Sequence, residues 1–360
     1  MATSAARSSA ETSGWDNPAG TDGFEFVEFT APDAAPLHAL LRQLGFRAVA
    51  RHRERPITRY RQGDINFLVN ESTDGFAADF ARAHGPSACS FAMRVRDVHA
   101  ALDVACARGA EHAEPAERAP AVPAPALAGI GGAALYLVDR YGSGASIYDD
   151  VYEPIDGDDT PAAGLTLLDH LTHNVDRGQM DHWAGYYERL FNFREIRYFD
   201  IKGAQTGLFS RAMTSPCGKV RIPINESADE KSQIAEYLRE YNGEGIQHIA
   251  LATDDIYASV ETLRANGIDF LDVPDTYYEM VDERVPDHGE DLARMRDNGI
   301  LIDADAEGRS QLLLQIFTET CVGPIFFEII QRKGNEGFGE GNFKALFESI
   351  ERDQMRRGVI

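Results

Sequence analysis

The sequence has few cysteines, no long apolar run and few large apolar residues among its first fifteen positions. Its four cysteines, Cys89, Cys106, Cys217 and Cys321, form no C-x-x-C pair, so a zinc ribbon, a redox dithiol and a disulfide framework are not indicated. No stretch approaches the roughly 18–20 apolar residues that a membrane span needs. The opening residues lack the apolar core of a secretory signal. We therefore expect a cytoplasmic protein with a disordered tail at 1–15.

Positive charge is also scarce. Acidic residues outnumber basic ones by 58 to 35, which gives a formal net charge of −23 over 360 residues. Such an excess repels phosphate backbones and anionic lipids, so neither nucleic acid nor a membrane surface is an expected partner. A small anionic substrate stays compatible, because a local metal ion outweighs a diffuse field. With 43% hydrophobic residues, the chain is long enough for two domains that each bury a core.

An internal repeat organises the chain. Residues 89–109 resemble residues 247–267 at a constant offset, since 255 − 97 = 158 and 267 − 109 = 158. Each copy predicts an apolar strand, an aspartate (Asp97 or Asp255) that caps the next helix, and a glycine that ends this helix. Two homologous halves that alternate strands and helices are expected, joined near 152–163.

The repeat extends towards the end of each half. Residues 135–142 resemble 312–317, and a strand predicted at 145–149 resembles the apolar strand at 325–330. These matches predict that both halves end in corresponding pairs of strands.

Two ionisable residues stand inside apolar strands of the second half and lack counterparts in the first. His248 aligns with Ser90, and the position of Glu328 aligns near Tyr148 or Asp149. Burying an unpaired carboxylate costs several kcal/mol unless a cation or hydrogen bonds compensate. A shared divalent ion is one such compensation. The alternatives are a core histidine without a ligand role and an edge strand that exposes Glu328.

A third strand carries two histidines, His170 and His173. Being three residues apart, they point to opposite faces of an extended strand, and the spacing does not decide which one faces a pocket. Two histidines and one carboxylate with open positions are typical of non-haem Fe(II) oxygenases. A closed structural zinc site requires a fourth protein ligand.

The chain ends in a predicted helix with one apolar face. Asn342 stands at a natural N-cap, after a glycine-rich stretch at 334–341. The apolar stripe comprises Phe343, Leu346, Phe347 and Ile350. A helix on a flexible joint predicts a gate over a pocket.

Five motifs resemble the 4-hydroxyphenylpyruvate dioxygenase family of the vicinal oxygen chelate superfamily. They are DHLTHNV at 169–175, GEGIQHIA at 243–250, LLLQIF at 312–317, FFEIIQRKG at 326–334 and GFGEGNFKALF at 337–347. The resemblance runs from about residue 17 to the last residue. It implies an α+β fold of two open β-barrel domains built from βαβββ modules, plus the terminal helix. The implied domains are a barrel without metal at 16–155 and a catalytic iron-binding barrel at 156–360.

The resemblance also assigns site residues. The metal ligands it implies for Fe(II) are His170, His248 and Glu328, which resolves the choice between His170 and His173. The catalytic polar residues it implies are Gln315, Asn225 and Gln233. The substrate-binding residues it implies are Ser210, Phe317, Phe338 and Phe343.

The implied reaction converts 4-hydroxyphenylpyruvate and O2 to homogentisate and CO2, a step of tyrosine catabolism. A homo-oligomer is expected, because most soluble enzymes form one. The nearest alternative is 4-hydroxymandelate synthase, which the resemblance fits with the same fold, the same metal ligands and the same substrate. The residues Pro223, Asn225 and Phe317 favour the dioxygenase. Further alternatives are a ring-cleaving or glyoxalase-like enzyme of this superfold and a metal-free binding protein.

Overall fold

The computed structural model describes residues 14–142, 144–202, 207–228, 232–304, 311–342 and 344–345. Their strands form two eight-stranded sheets, one from each half of the chain. Helices pack on these sheets, as expected for an α+β protein. No helix of the described ranges combines the length and the hydrophobicity that crossing a membrane requires.

The first sheet has the strand order β6-β7-β5-β1-β4-β3-β2-β8. Its strands are β1 (Thr21–Thr30), β2 (Arg47–His52), β3 (Ile57–Gln62), β4 (Ile65–Asn70), β5 (Ser87–Val95), β6 (Ala126–Ala128), β7 (Ala134–Val138) and β8 (Tyr152–Pro154). Its helices are α1 (Ala35–Gln43), α2 (Gly75–His84), α3 (Val98–Ala107) and α4 (Glu114–Arg118), and a 3-10 turn covers Ile130–Gly132.

The second sheet has the strand order β10-β11-β12-β9-β13-β16-β15-β14. Its strands are β9 (Leu165–Val175), β10 (Arg194–Lys202), β11 (Gly207–Thr214), β12 (Arg221–Ser227), β13 (Gly245–Thr253), β14 (Leu301–Ala304), β15 (Leu312–Phe317) and β16 (Phe326–Lys333). Its helices are α5 (Met180–Phe191), α6 (Gln233–Tyr241), α7 (Ile256–Ala265), α8 (Asp275–Tyr278), α9 (Val281–Arg284) and α10 (Leu292–Asn298).

The repeat predicted from the sequence is confirmed. In each sheet an antiparallel pair lies at the centre, β1 with β5 and β9 with β13, and each pair is flanked by parallel neighbours. Asp97 accepts a hydrogen bond from the backbone N–H of Ala100, and Asp255 accepts one from Ala258, so both capping aspartates act as predicted. The offset of 158 therefore relates structurally equivalent elements.

Both predicted matches at the end of the halves are wrong: residues 135–138 lie in β7, which is equivalent to β16 and not to β15 at 312–317. Residues 145–149 form a turn region and not a strand, and β7 occupies the position that β16 occupies in the second half. Ala92 pairs with Tyr136, whereas its counterpart Ala250 pairs with Glu328. The counterpart of Glu328 is thus Tyr136. The reason is that β7 is a continuous apolar run that can be buried on both faces in parallel pairing.

The two halves share one hydrophobic core, which contains residues from both sheets. At their junction the ring of Phe327 lies 6.3 Å from the ring of Phe29 and 6.0 Å from that of Phe67. Phe327 directly precedes Glu328 in β16. The first half therefore packs against the strand that carries a predicted ligand.

Candidate active site

Three buried side chains converge at the middle of the second sheet. Nε2 of His170 lies 3.2 Å from Oε2 of Glu328, and Nε2 of His248 lies 3.4 Å from the same oxygen. The two Nε2 atoms are 3.4 Å apart. The centre of a triangle with these sides lies about 1.9 Å from each corner, close to the roughly 2.0–2.2 Å of metal–nitrogen and metal–oxygen bonds. The geometry fits one divalent ion.

The strand register brings the three residues together. His170 in β9 pairs with Ala250 in β13, and Ala250 pairs with Glu328 in β16. His170 and Glu328 therefore lie in one row across the sheet, on either side of Ala250. His248 stands two residues before Ala250 and shares its face. His173, three residues after His170, bonds through Nε2 to the hydroxyl of Tyr187 at 2.7 Å and is not part of the cluster.

Each of the two histidines follows a β-bulge. The ladder between β9 and β13 skips Asp169 on one strand and Gln247 on the other. A bulge re-aims a side chain, which lets each skipped residue reach its neighbour. Oδ1 of Asp169 accepts from Nδ1 of His170 at 3.0 Å, and Oε1 of Gln247 accepts from Nδ1 of His248 at 2.8 Å. These contacts engage both Nδ1 atoms, so each ring directs Nε2 towards Glu328, and an Nε2 without hydrogen is the form that binds a metal ion.

The electrostatics of the cluster require compensation. Burial raises the pKa of Glu328, but the adjacent imidazoles of His170 and His248 outweigh burial and hold this pKa below its usual range. Burial lowers the pKa of His248, while the charge of Glu328 overcomes burial and raises that of His170. The other carboxylate oxygen, Oε1 of Glu328, is buried and has no hydrogen-bond partner. A bound cation would compensate the charge of Glu328 and contact the ligating atoms of all three residues.

The cluster lies in a pocket that also contains most of the predicted substrate residues. Ser210, Asn225, Gln315, Phe317 and Phe338 all line it. The remaining lining residues are Thr172, Phe199, Leu208, Pro223 and Glu340. Phe343 and residues 346–360, which include the rest of the predicted apolar stripe, lie outside the described residues.

The structure does not bring Gln233 into this pocket. Gln233 is exposed at the first position of α6, directly after the N-cap Ser232. The helix buries the stripe formed by Ile234, Tyr237 and Tyr241. Because this stripe faces the core, Gln233 faces away from the core and is not part of the pocket lining.

One wall of the pocket is a row of side chains across three strands. Phe199 in β10 pairs with Ser210 in β11, and Ser210 pairs with Asn225 in β12. Paired residues of neighbouring strands share a face of the sheet. An aromatic ring and two neutral polar groups therefore form one continuous surface beside the cluster.

The opposite wall is tied to the start of the terminal helix. The helix already includes Glu340, so Asn342 is not its N-cap as predicted but a buried residue within it. Nδ2 of Asn342 donates to Oε1 of Gln315 at 3.1 Å, and Oδ1 of Asn342 accepts from the hydroxyl of Tyr277 at 2.7 Å. Because Asn342 binds the oxygen of the Gln315 amide, the NH2 of this amide can donate to a molecule in the pocket. Gly339 (φ +78°) lies against this amide, where a side chain would collide with it.

Several functional positions were not identified from the sequence. Thr172 stands two residues after His170 and donates from Oγ1 to Nε2 of His248 at 2.9 Å. The period of two along a strand could have found it. Phe199 and Leu208 carry no such signal, because their positions depend on the register of β10 with β11.

Two family profiles match the chain. Residues 15–153 match "Hydroxyphenylpyruvate dioxygenase, HPPD, N-terminal", and residues 167–281 match the "Glyoxalase/Bleomycin resistance protein/Dioxygenase superfamily". The chain is 60% identical over 353 residues to 4-hydroxyphenylpyruvate dioxygenase of Pseudomonas aeruginosa, which covers 96% of this chain and 97% of the relative. It is 59% identical to hemolysin VllY of Vibrio vulnificus, with 96% and 98% covered.

Two solved structures resemble the fold over most of its length. A fusion of a xylose isomerase-like TIM barrel with 4-hydroxyphenylpyruvate dioxygenase has a TM-score of 0.78 and 33% identity, covering 94% of this chain and 54% of the fusion. A triple mutant of 4-hydroxymandelate synthase from Streptomyces coelicolor has a TM-score of 0.77 and 26% identity, covering 93% and 99%.

Proposed function

The chain belongs to the 4-hydroxyphenylpyruvate dioxygenase family, and from this premise we propose that it converts 4-hydroxyphenylpyruvate and O2 to homogentisate and CO2. The observation that carries the proposal is the triangle of His170, His248 and Glu328 on the pocket wall. These residues would hold Fe(II), because two imidazoles and a carboxylate with open positions suit non-haem iron. When bound, iron supplies the activation of O2 that oxidative decarboxylation and ring hydroxylation require.

The neutral polar residues of the pocket orient the substrate. The NH2 of Gln315 faces the pocket and can donate to an oxygen of the 2-oxo acid. Ser210 and Asn225 stand side by side on neighbouring strands and are placed to bond the phenol hydroxyl. Neutral groups suit this task, because they bind the substrate without adding a charge that competes with the metal centre.

Aromatic side chains enclose the ring and exclude water. The ring of Phe338 lies 5.4 Å from that of His170, and Phe317 lies 6.3 Å from His248. Water-free surroundings protect a reactive intermediate from side reactions. The resemblance also assigns Phe343 to the substrate site.

Anaerobic reconstitution with Fe(II), followed by oxygen uptake and product chromatography with 4-hydroxyphenylpyruvate, tests the proposal. We expect stoichiometric O2 consumption and homogentisate from the wild type and neither from Glu328→Gln. His182→Ala, which changes an exposed histidine of α5, should behave like the wild type. Oxygen uptake that does not depend on iron would contradict the proposal.

The same chromatogram decides between the two reactions of this superfold. The likeness to 4-hydroxymandelate synthase makes hydroxylation of the benzylic carbon the second candidate, and 4-hydroxymandelate would then be the product. Pro223, Asn225 and Phe317, which line the pocket, favour homogentisate.

We further propose the setting of this reaction. The enzyme acts in tyrosine catabolism in the cytoplasm as a homo-oligomer. Its metal-free domain comprises 16–155 and its catalytic domain 156–360. Size-exclusion chromatography with light scattering tests the oligomeric state, and an apparent mass of 39.7 kDa, that of one chain, would contradict it.

A further inference from the structure

The bulge residue Asp169 lies at the centre of a buried network behind the proposed metal centre. Its side chain is 0% exposed. Besides His170, its carboxylate accepts from Nε and Nη2 of Arg332 at 2.9 and 2.7 Å and approaches Nη1 of Arg221 at 3.5 Å. A guanidinium can only donate, so the paired contacts of Arg332 with both oxygens of Asp169 are those of an ionised carboxylate with arginine. The group that faces His170 is therefore a carboxylate.

A carboxylate at this point selects the ring form of His170. A carboxylate oxygen can only accept, so the hydrogen of the neutral imidazole stays on Nδ1. The lone pair then stays on Nε2, the atom that lies 3.2 Å from Glu328. Carboxylates that orient a ligand histidine in this way typically contribute 10–100-fold to metal affinity.

Arg332 connects the same carboxylate to the loop that bears Phe338. Its Nη1 donates to the backbone carbonyls of Asn335 at 3.1 Å and Gly337 at 2.7 Å. Its guanidinium lies 5.7 Å from the centre of the Phe338 ring. One side chain thus joins Asp169 to the segment that places an aromatic ring beside His170.

We propose that Asp169 is a positioning residue: it holds His170 for the metal and, through Arg332, holds the Phe338 loop against the same site. This inference rests on the metal centre proposed above. It assigns to the bulge in β9 the task of coupling a ligand to the loop that covers the ligand.

The repeat supplies a matched control. The ladder between β1 and β5 skips Glu25 just as that between β9 and β13 skips Asp169. Glu25 is also buried, and its carboxylate pairs with Nε of Arg94 at 2.5 Å. The next residue, however, is Phe26 instead of a histidine. Glu25→Gln therefore removes a buried carboxylate from the equivalent bulge without touching the metal centre.

Titration of the metal-free protein with Co(II), followed by its visible absorption, tests whether Asp169 holds His170 for the metal. We expect Asp169→Asn to raise the Co(II) dissociation constant roughly 10–100-fold, because an asparagine NH2 can turn towards Nδ1 and favour hydrogen on Nε2. The Co(II) dissociation constant of Glu25→Gln should stay within about threefold of that of the wild type. Thermal melts of both variants report the loss of stability that they share.

The outcomes separate the two proposals. If the wild type binds one Co(II) per chain and Asp169→Asn binds it as tightly as Glu25→Gln, the positioning role is wrong and the metal centre stands. If the wild type binds neither Co(II) nor Fe(II), the metal centre fails and the inference fails with it. Should Asp169→Asn not fold, Asp169→Glu, which keeps the charge but displaces it, must still weaken Co(II) binding.

Arg332→Lys tests whether Asp169 holds the Phe338 loop through Arg332. Lysine keeps the positive charge but cannot bond the carboxylate in a bidentate manner and reach two carbonyls as well. We expect backbone amides of 335–339 to exchange hydrogen about tenfold faster while Co(II) affinity stays within about threefold. Unchanged exchange in this segment would show that Asp169 does not hold the loop.

Discussion

At the scale of single residues, the second half gathers ionisable groups that are costly to bury. Glu328 leaves one buried carboxylate oxygen without a hydrogen-bond donor, a cost of about 1–3 kcal/mol or more for a charged group. Natural proteins accept such costs where chemistry needs the group. His170 and His248 share the cost with Glu328, and a bound divalent ion would remove it.

The buried His173 predicts a pH dependence of stability. Burial lowers the pKa of His173 to about 3, whereas an unfolded histidine has a pKa of about 6.5. Between these values the unfolded chain binds a proton that the folded chain does not, so stability falls as the pH falls. From pH 7 to pH 5 the loss is about 2 kcal/mol. Urea unfolding at both pH values measures it.

His173→Gln is the comparison for that experiment. Glutamine does not titrate in this range, so the variant should lose about 2 kcal/mol less between pH 7 and pH 5 than the wild type. An unchanged pH slope in His173→Gln would mean that other groups cause the loss.

Gln315 predicts an effect on catalysis that is separate from metal binding. Replacing it by leucine removes a donor to a substrate oxygen, which is worth about 1.5–3 kcal/mol when the partner is charged. We expect kcat/KM to fall roughly 10–100-fold with Co(II) affinity unchanged. Steady-state oxygen uptake and Co(II) titration measure the two quantities. A kcat/KM like that of the wild type would remove Gln315 from the substrate site.

At the scale of elements, the strands alone do not build the site. A regular pairing of β9 with β13 would send Asp169 and His170 to opposite faces of the sheet. The bulges at Asp169 and Gln247 change this alternation at each of the two ligand histidines. The first half carries bulges at the matching positions, Glu25 and Cys89. The bulges therefore belong to the repeated scaffold, and in the second half they lie beside the two proposed ligand histidines.

The start of the terminal helix predicts a second effect at this scale. Asn342→Ala removes the bonds to Gln315 and Tyr277, so the Gln315 amide is free to rotate. We expect kcat/KM to fall about tenfold, as the loss of one to two kcal/mol of orientation implies. Steady-state kinetics measure it.

Asn298→Ala is the control for Asn342→Ala. Asn298 is a buried amide at the end of α10 whose Nδ2 donates to the backbone carbonyl of Arg294 at 3.0 Å. Both variants should lose stability, but only Asn342→Ala should lose kcat/KM. Equal kinetics in the two variants would show that the terminal helix does not position Gln315.

At the scale of the whole molecule, the first half supports the second half, which contains the cluster of His170, His248 and Glu328. The ring of Phe67 contacts Phe29, Phe46 and Phe327, with the ring centres 5.2, 4.6 and 6.0 Å away. Phe327 is the neighbour of Glu328. Loss of packing in the first half is therefore expected to reach Glu328.

Phe67→Ala tests this coupling. A large-to-small change in such a core costs about 3–5 kcal/mol, and because the core is shared, we expect both halves to lose stability together. Hydrogen exchange should quicken in peptides of β16 as well as in peptides of β1. Faster exchange confined to β1 and its neighbours would show that the halves are independent.

The sequence by itself determined the repeat, because two copies of a strand, a capped helix and a glycine recur at a fixed offset. It predicted a ligand set once the motifs were compared with a family, since His248 and Glu328 stand in apolar strands where burying a charge is costly. The wrong counterpart of Glu328 shows the limit: Tyr136 and Tyr148 both lie in the closing part of the first half, and only strand pairing chooses between them.

Tertiary structure decided the rest. Gln233 faces solvent because α6 turns its apolar stripe to the core. Asn342 is not the N-cap because the terminal helix begins before it, and it is buried against Gln315 and Tyr277. The bulges that aim Asp169 and Gln247 at the ligand histidines arise from the register between two strands far apart in the chain. Such positions depend on contacts between distant residues, and a local pattern carries no record of those contacts.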